Sequence, residues 1–344
     1  MLKTANEATA KAAAAPKPAP GQKPAVAAKP AAPAAKPVKR VPAPPAQVKC
    51  VVCGGTASHS IPYLTPEKEF EHIFGGRNIF ICDVCGFGNT MPPVPDKALG
   101  EYYSGSFDPR YFKRVEGGDW PFFDERSVSQ IMLARLFMQF EEGDGFLDVG
   151  PGVGASFYSA QQLLDKPRLF GVEMNLAAID LMKKNVPGVK IVNAVAELDK
   201  VAKGVPLKLC ITSHCLEHYN GEGVVPGVRE IYQRMAPGGV IVAEVPHWPL
   251  KKWSYRRNDI PHLSFFSQDS LERAITAGGF DVVYANVFGI PHKANRFFES
   301  ERRKAMNVKG LRRDGADFLL IANSGDFKTR EDGKILRVVG RKPL

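Results

Sequence analysis

No run of apolar residues in this 344-residue chain is long enough to span a bilayer. Pro and Lys interrupt the alanines of the N-terminus, so it has no continuous apolar stretch of the kind a secretory signal needs. Cysteine is scarce. Four of the six form two CxxC pairs, and Cys210 and Cys215 stand alone in apolar surroundings. That usage suits a reducing cytoplasm better than a disulfide framework. Charge is also scarce where nucleic acid would need it. The formal net charge is +10, but nine of the 46 Lys and Arg, and only Glu7 of the 36 acids, precede Cys50. Residues 50–344 therefore carry a net charge of only +2, and the basic character belongs to the tail.

That tail, residues 1–47, is almost entirely Ala, Pro and Lys. Such a composition cannot bury enough surface to offset backbone entropy, so the expectation is disorder with polyproline-like stretches. It reads as a solubilising linker, with an electrostatic tether to RNA, anionic lipid or an acidic partner as the alternative.

Residues 48–90 make a second segment. Cys50-Val-Val-Cys53-Gly54 and Cys82-Asp-Val-Cys85-Gly86 flank a stretch ending in the strand-like Asn78–Ile81. In each pair the Gly after the second Cys lets backbone amides turn toward the sulfurs. Two such turns brought together make a tetrahedral four-thiolate site, so Cys50, Cys53, Cys82 and Cys85 are expected to hold structural zinc. A redox dithiol would need only one CxxC. A closed site has no open coordination position, so its role is to fold a segment too small to hold its own core.

Residues 91–126 are an aromatic connector containing Tyr102, Tyr103, Phe107, Tyr111, Phe112, Trp120, Phe122 and Phe123. They would cover a cofactor, line a substrate pocket or pack between modules. Helical spacing of Val128, Ile131, Met132, Leu136 and Phe140 predicts a helix over Ser127–Phe140. From there, strand and helix patterns alternate. Strands are predicted at Gly145–Val149, Arg168–Glu173, Val189–Val195, Leu207–Thr212, Val240–Val245, Phe280–Val287 and Phe318–Ala322. Helices are predicted at Ser156–Leu164, Ala177–Lys184, Val224–Met235 and Ser267–Ala277. This alternation implies an α/β domain over residues 127–344, with a doubly wound, seven-stranded, mostly parallel sheet. Ligands bind such sheets at the carboxyl ends of the strands, near the switch point.

The strongest motif is Phe146-Leu-Asp148-Val-Gly150-Pro-Gly152-Val-Gly154, which follows a strand and opens a helix. Its glycines permit a tight turn and close approach of a ligand. A nicotinamide site would read GxGxxG and would not normally place an acid two positions before the first Gly. An acid there favours a cationic ligand.

The motif resembles that of class I S-adenosylmethionine (SAM)-dependent methyltransferases, and the resemblance extends over about residues 50–325. It implies a Rossmann-like methyltransferase sheet preceded by a zinc-ribbon-like module, with SAM as cofactor. It also implies a cofactor site built from Asp148, Gly150, Gly152, Gly154, Glu173, Ala196, Glu197 and Ser213. Glu173 ends the second strand, where the family's acid bonds the ribose hydroxyls; one carboxylate can accept both. Asn193-Ala-Val-Ala196-Glu197 occupies the adenine-contact stretch, with Val195 where the family often has Asp. Ser213-His214-Cys-Leu-Glu217-His218 resembles the family's "LEH" floor of the active site, and Met235-Ala-Pro237-Gly238-Gly239 its helix–turn–strand element. Pro261-His262-Leu-Ser-Phe-Phe-Ser267 followed by Gly-Gly-Phe280 is similar to the small-molecule and sugar methyltransferase group. Some members of that group carry paired CxxC knuckles and act on nucleotide-linked deoxysugars.

Four of the seven His (His214, His218, His247, His262) fall beyond the fourth and fifth strands. An imidazole titrates near neutrality and suits proton removal from an acceptor. His218 and His262 are the leading candidates for base or acceptor-orienting residue, with His247 beside them. Glu217 would orient His218 or cap the next helix. Cys215 reads as a buried, inert thiol. The loop Trp248-Pro-Leu-Lys251-Lys-Trp253-Ser-Tyr255-Arg256-Arg257 offers cations for a phosphate and aromatics for a base or sugar. A phosphorylated or nucleotide-linked small molecule is therefore the expected acceptor. The alternatives are an RNA methyltransferase that uses the basic tail and a non-catalytic scaffold.

Overall fold

The computed structural model describes residues 48–64, 68–106, 125–248, 261–288 and 335–344. The expected tail, the connector aromatics from Phe107 to Phe123, the Lys251–Arg257 loop and the predicted strand Phe318–Ala322 lie outside them. Among the described residues no helix is long and apolar enough to cross a membrane.

The chain opens with strands β1 (Val48–Lys49), β2 (Thr56–Pro62), β3 (Asn78–Cys82) and β4 (Gly88–Met91), with the short helix α1 (Glu71–Phe74) between β2 and β3. Helices α2 (Asp96–Glu101) and α3 (Glu125–Ala134) follow. The large sheet begins at β5 (Gly145–Val149), and α4 (Ala155–Leu163), β6 (Arg168–Val172), α5 (Leu176–Asn185), β7 (Lys190–Val192) and α6 (Leu198–Val201) build one half of it. The other half comprises β8 (Leu207–Ser213), α7 (Gly221–Arg234), β9 (Met235–Pro246), β10 (Ser264–Phe265), α8 (Gln268–Ala277), β11 (Asp281–Phe288) and β12 (Ile335–Arg341).

Seven strands form the large sheet in the order β11-β12-β9-β8-β5-β6-β7. The five strands from β9 to β7 are parallel, and β12 runs antiparallel to both β9 and β11. The order reverses between β5 and β8, so the crevice at their carboxyl ends is the switch point of a doubly wound fold. All five residues of β5 are buried, as expected for a strand with both faces covered. One apolar cluster includes Leu147, Cys210, Ile241, Ile275 and Phe280, and the other includes Phe146, Phe157, Leu209, Val242 and Ile131.

Side-chain caps start α5 and α8. Asn175 Oδ1 accepts from Ala178 N at 3.0 Å and caps α5. Ser267 and Ser270 form a reciprocal capping box that starts α8. Several predicted boundaries move, two of them furthest. The helix predicted to Phe140 stops at Ala134. Beyond it Leu136 is 46% exposed while Phe137, Met138 and Phe140 pack on the core outside a helix. The fifth large-sheet strand begins at Met235, because Met235 pairs with Leu207 and Val240 with Leu209, which leaves Pro237-Gly-Gly in a bulge between them. The seventh strand of the sheet is Ile335–Arg341.

The small sheet has the order β1-β2-β3-β4-β10. Its fifth strand comes from residues 264–265, far along the chain. Alternation along that strand sends Phe265 into the apolar cluster of Phe74, Ile79, Ile81 and Trp248, and Phe266 into one core of the large sheet.

Candidate active site

The end of β5 sets the first wall. Gly150, Gly152 and Gly154 all have left-handed φ, at 81°, 54° and 80°. A side chain at Gly150 would press on Cys215 Sγ at 3.0 Å, and one at Gly154 on Met182 at 2.7 Å. The loop can thus be followed by a helix packed tightly on α5 only with glycine at these points. Asp148 is 4% exposed and accepts a short hydrogen bond from Ser156 Oγ in the first turn of α4. Glu173 follows β6. Its Oε2 accepts from Gly152 N at 3.0 Å, and its Oε1 from Met174 N and Asn175 N at 2.8 and 2.9 Å. Burial raises the Glu173 pKa, while those three N–H groups pull it down. A carboxylate has about four acceptor positions, so the glycine loop and the start of α5 already engage most of them. Asn193, at the end of β7, donates from Nδ2 to Glu173 O at 3.3 Å.

Ala196 and Glu197 lie in the short turn that follows β7. The Ala196 carbonyl accepts from Arg234 Nη2 at 3.4 Å. Glu197 accepts from Lys200 Nζ at 2.7 Å and from Asn193 N at 3.2 Å, closing its own turn. The Ser213 hydroxyl, at the end of β8, accepts from Gln130 Nε2 of α3 at 2.9 Å.

Beyond β8 the chain makes a strained turn. His214 is a non-glycine residue at φ 54°, a conformation that persists only where its surroundings hold it. Its amide donates to Glu244 O at 2.8 Å, and its Nδ1 lies 3.1 Å from Glu217 Oε1. His214 Nε2 lies 3.7 Å from Glu244 Oε1. Glu244 is 1% exposed and sits opposite Arg337, itself 3% exposed, across β9 and β12. Arg337 Nε donates to Glu244 Oε2 at 2.7 Å, and Arg126 of α3 reaches Oε1 at 3.2 Å. Burial would raise the Glu244 carboxyl, but Arg337, Arg126 and His214 hold it below the usual range.

Glu217 and His218 occupy the short turn Leu216–His218, and His262 meets them from the segment before β10. The His218 and His262 rings lie 5.0 Å apart, and Tyr103 packs edge-on at 5.7 Å from His218. One ligand-type atom from each of Glu217, His218 and His262 falls within 4.8 Å of the others. Glu217 is 1% exposed, and its Oε2 has no hydrogen-bond partner among the described residues. Burial would raise its carboxyl, but the His214 hydrogen bond and the charges of His218, His214 and His262 bring it below the usual value. Burial lowers the His218 pKa, opposed by the Glu217 charge and by hydrogen bonds to the carbonyls of Pro261 and His214. His247 is buried at the end of β9, where its backbone bridges Phe266. Burial pushes the Cys215 thiol up, which suits an inert sulfur.

The four remaining cysteines form a separate centre. The two knuckles repeat one turn: Gly54 N donates to Cys50 O and Gly86 N to Cys82 O, both at 2.9 Å, with φ of 71° and 70° at the glycines. The Sγ atoms of Cys50 and Cys85 are 3.7 Å apart, and those of Cys53 and Cys82 3.5 Å. The edge of a tetrahedral four-thiolate zinc site is about 3.8 Å for bonds of about 2.3 Å. This cluster has the spacing to hold such an ion.

Glu244 and Arg337 escape the motif-based reading of the sequence. Each is a lone charge inside an apolar strand, in Val240-Ile-Val-Ala-Glu244-Val and Ile335-Leu-Arg337-Val-Val, and the signs are opposite. That was the available signal, since charges buried in central strands are paired.

Residues 123–285 match the family model described as a methyltransferase domain. No curated protein matches. Among solved structures, the chain is similar to a TehB-like SAM-dependent methyltransferase from Corynebacterium glutamicum. That match has 14% identity and a TM-score of 0.41, and covers 72% of this chain and 99% of that one. A SAM-dependent methyltransferase from Archaeoglobus fulgidus matches at 17% identity and TM-score 0.43, over 67% and 99% of the two chains. A Burkholderia thailandensis 1,6-didemethyltoxoflavin-N1-methyltransferase, with bound 1,6-didemethyltoxoflavin and S-adenosylhomocysteine, matches at 15% and 0.43, over 83% and 100%. Residues 123–285 thus resemble a methyltransferase domain, on a Rossmann-like sheet with a four-cysteine cluster before it.

Proposed function

We propose that this methyltransferase moves a methyl group from SAM to a small-molecule acceptor, a nucleotide-linked sugar or another phosphorylated precursor being the class its sequence favours. The observation that carries the reading is the juxtaposition at the switch point. The left-handed glycine loop follows β5 and Glu173 follows β6, while Glu217 and His218 follow β8 and meet His262, so both groups stand at the carboxyl ends of the strands around the switch point. Cys215, between the two groups in sequence, touches Gly150. The first group fits the donor: two carboxylates, Asp148 and Glu173, suit its sulfonium and ammonium, and the acceptor position that Glu173 has left suits a ribose hydroxyl. When bound, SAM supplies an electrophilic methyl group. His218 has a lowered pKa and is neutral at pH 7, so it is ready to take a proton from the acceptor. Glu217, fixed by His214, stabilises the imidazolium that results. His262, against His218, orients the acceptor. The four cysteines hold one structural zinc ion.

The near-neutral charge of residues 50–344 favours a small acceptor over RNA. The test is transfer of labelled methyl from SAM into fractionated cell extract, comparing wild type with His218→Ala and His262→Ala. Label in the small-metabolite fraction, lost in both variants, is the expected result. Label in RNA would overturn the acceptor class, and label unaffected by either substitution would overturn the site.

A further inference from the structure

The small sheet and the histidine cluster are built from one another. Residues 264–265 complete the module sheet: Ser264 pairs with Asn89 and Phe265 with Gly88. His262 stands two residues before that strand. Leu263, between them, donates its amide to Glu217 O at 2.7 Å, and its carbonyl accepts from Thr90 N of β4 at 3.0 Å. One residue therefore bridges the turn that carries Glu217 to the strand that follows the second knuckle. Ser264 Oγ donates to Tyr219 O at 2.7 Å, and Ser267 Oγ donates to the carbonyl of Cys85, a cluster cysteine. The Phe87 and Phe266 rings pack 5.3 Å apart.

Asn220 adds a second link. It is the N-cap residue of α7, and Asn is a favoured N-cap because its side chain can accept from the helix's own N–H groups. Here it makes no such bond. Its Oδ1 accepts from Val94 N at 2.9 Å and its Nδ2 donates to Val94 O at 2.8 Å, so the buried amide clasps both backbone groups of the segment that leaves β4. The next residue, Gly221, has no room for a side chain, because one would collide with Asn89 of β4. None of these bonds involves Asp148, the glycine loop or Glu173.

We propose that the four-cysteine module positions the acceptor side of the site, with Asn220 as the positioning residue, so that filling the cysteine cluster fixes His262 and Glu217 and leaves the donor side untouched. The proposal rests on the assignment of Glu217, His218 and His262 to the acceptor.

The test uses the full chain in three forms: metal-loaded wild type, wild type stripped with a chelator, and metal-loaded Asn220→Ala. The last leaves the cysteines intact and breaks only the clasp. Three quantities are read: SAM affinity by calorimetry, amide exchange at Thr90 and Leu263, and the imidazole titration of His218 by NMR. Stripping and Asn220→Ala should each speed exchange at Thr90 and Leu263 by about tenfold, the worth of one hydrogen bond. The His218 titration should move up toward the ordinary imidazole value as water reaches the ring. SAM affinity should stay within about threefold, well under the tenfold that corresponds to 1.4 kcal/mol. Exchange and titration unchanged in both perturbed forms would overturn the proposal. So would a parallel loss of SAM affinity, which would make the module a general stabiliser. Failure of metal-loaded wild type to bind SAM would instead sink the donor assignment, with exchange and titration still deciding the coupling.

Discussion

Arg337→Met should be among the most damaging single changes outside the apolar core. Glu244 and Arg337 are 1% and 3% exposed, so both ions are out of water. Removing one partner of such a pair leaves the other buried and uncompensated, at a cost of about 3–5 kcal/mol. Arg126 remains 3.2 Å from Glu244 but is itself 44% exposed, so it offsets only part of the loss. The expected deficit is therefore at the low end, about 3 kcal/mol. With a urea slope of about 3 kcal/mol/M, the unfolding midpoint should fall by about 1 M. The pH dependence gives a second readout. In wild type the Glu244 carboxyl is held below its unfolded value. Its contribution is present above the unfolded carboxylate pKa and is lost as pH falls through the folded one. A protonated Glu244 needs no cation, so the deficit of Arg337→Met should be largest at pH 7 and shrink as pH approaches the carboxylate range. Arg337→Met combined with Glu244→Gln should recover part of the loss, because the orphaned charge is gone. Urea titrations followed by circular dichroism at several pH values measure all of this. A deficit under about 1 kcal/mol, or one independent of pH, would refute the buried-pair argument.

Asp148→Ala should weaken SAM binding by about tenfold to a hundredfold, the worth of a charge-assisted contact, with the chain still folded; calorimetry showing unchanged affinity would mean the donor binds elsewhere. Metal analysis of purified protein should find one zinc per chain, lost on Cys82→Ser, and a metal-free preparation with an intact thermal transition would remove zinc from the account. The rate of methyl transfer should rise with pH through a midpoint below about 6.5, the ordinary imidazole value, because burial lowers His218 and the neutral ring accepts the proton. Glu217→Gln removes a charge that raises His218, so its midpoint should move further down and its kcat fall by about tenfold to a hundredfold; an unmoved midpoint would take Glu217 out of contact with the base.

Much of this protein is written locally in its sequence. Strand β5 spans the residues predicted, Gly145–Val149, because an apolar run closed by a glycine loop has one stable place, in the middle of a covered sheet. Helix α8 starts at the predicted serine, because its cap is made by residues three apart. The glycine loop and the cysteine knuckles are likewise short-range: left-handed φ at fixed positions and paired cysteines three residues apart. What the local pattern could not carry was decided in tertiary structure. Sequence spacing places His262 44 residues beyond His218, and the hydrogen bonds of Leu263 to Glu217 and of Ser264 to Tyr219 bring their rings to 5.0 Å. Glu244 and Arg337 are 93 residues apart and become partners through the antiparallel register of β9 and β12. Asn220 looks like a helix cap in sequence, yet its amide is spent on Val94, 126 residues earlier. In each case the partner lies on another strand or module. A backbone signal has a range of about four residues, whereas a buried charge or amide takes whichever complement the packing delivers.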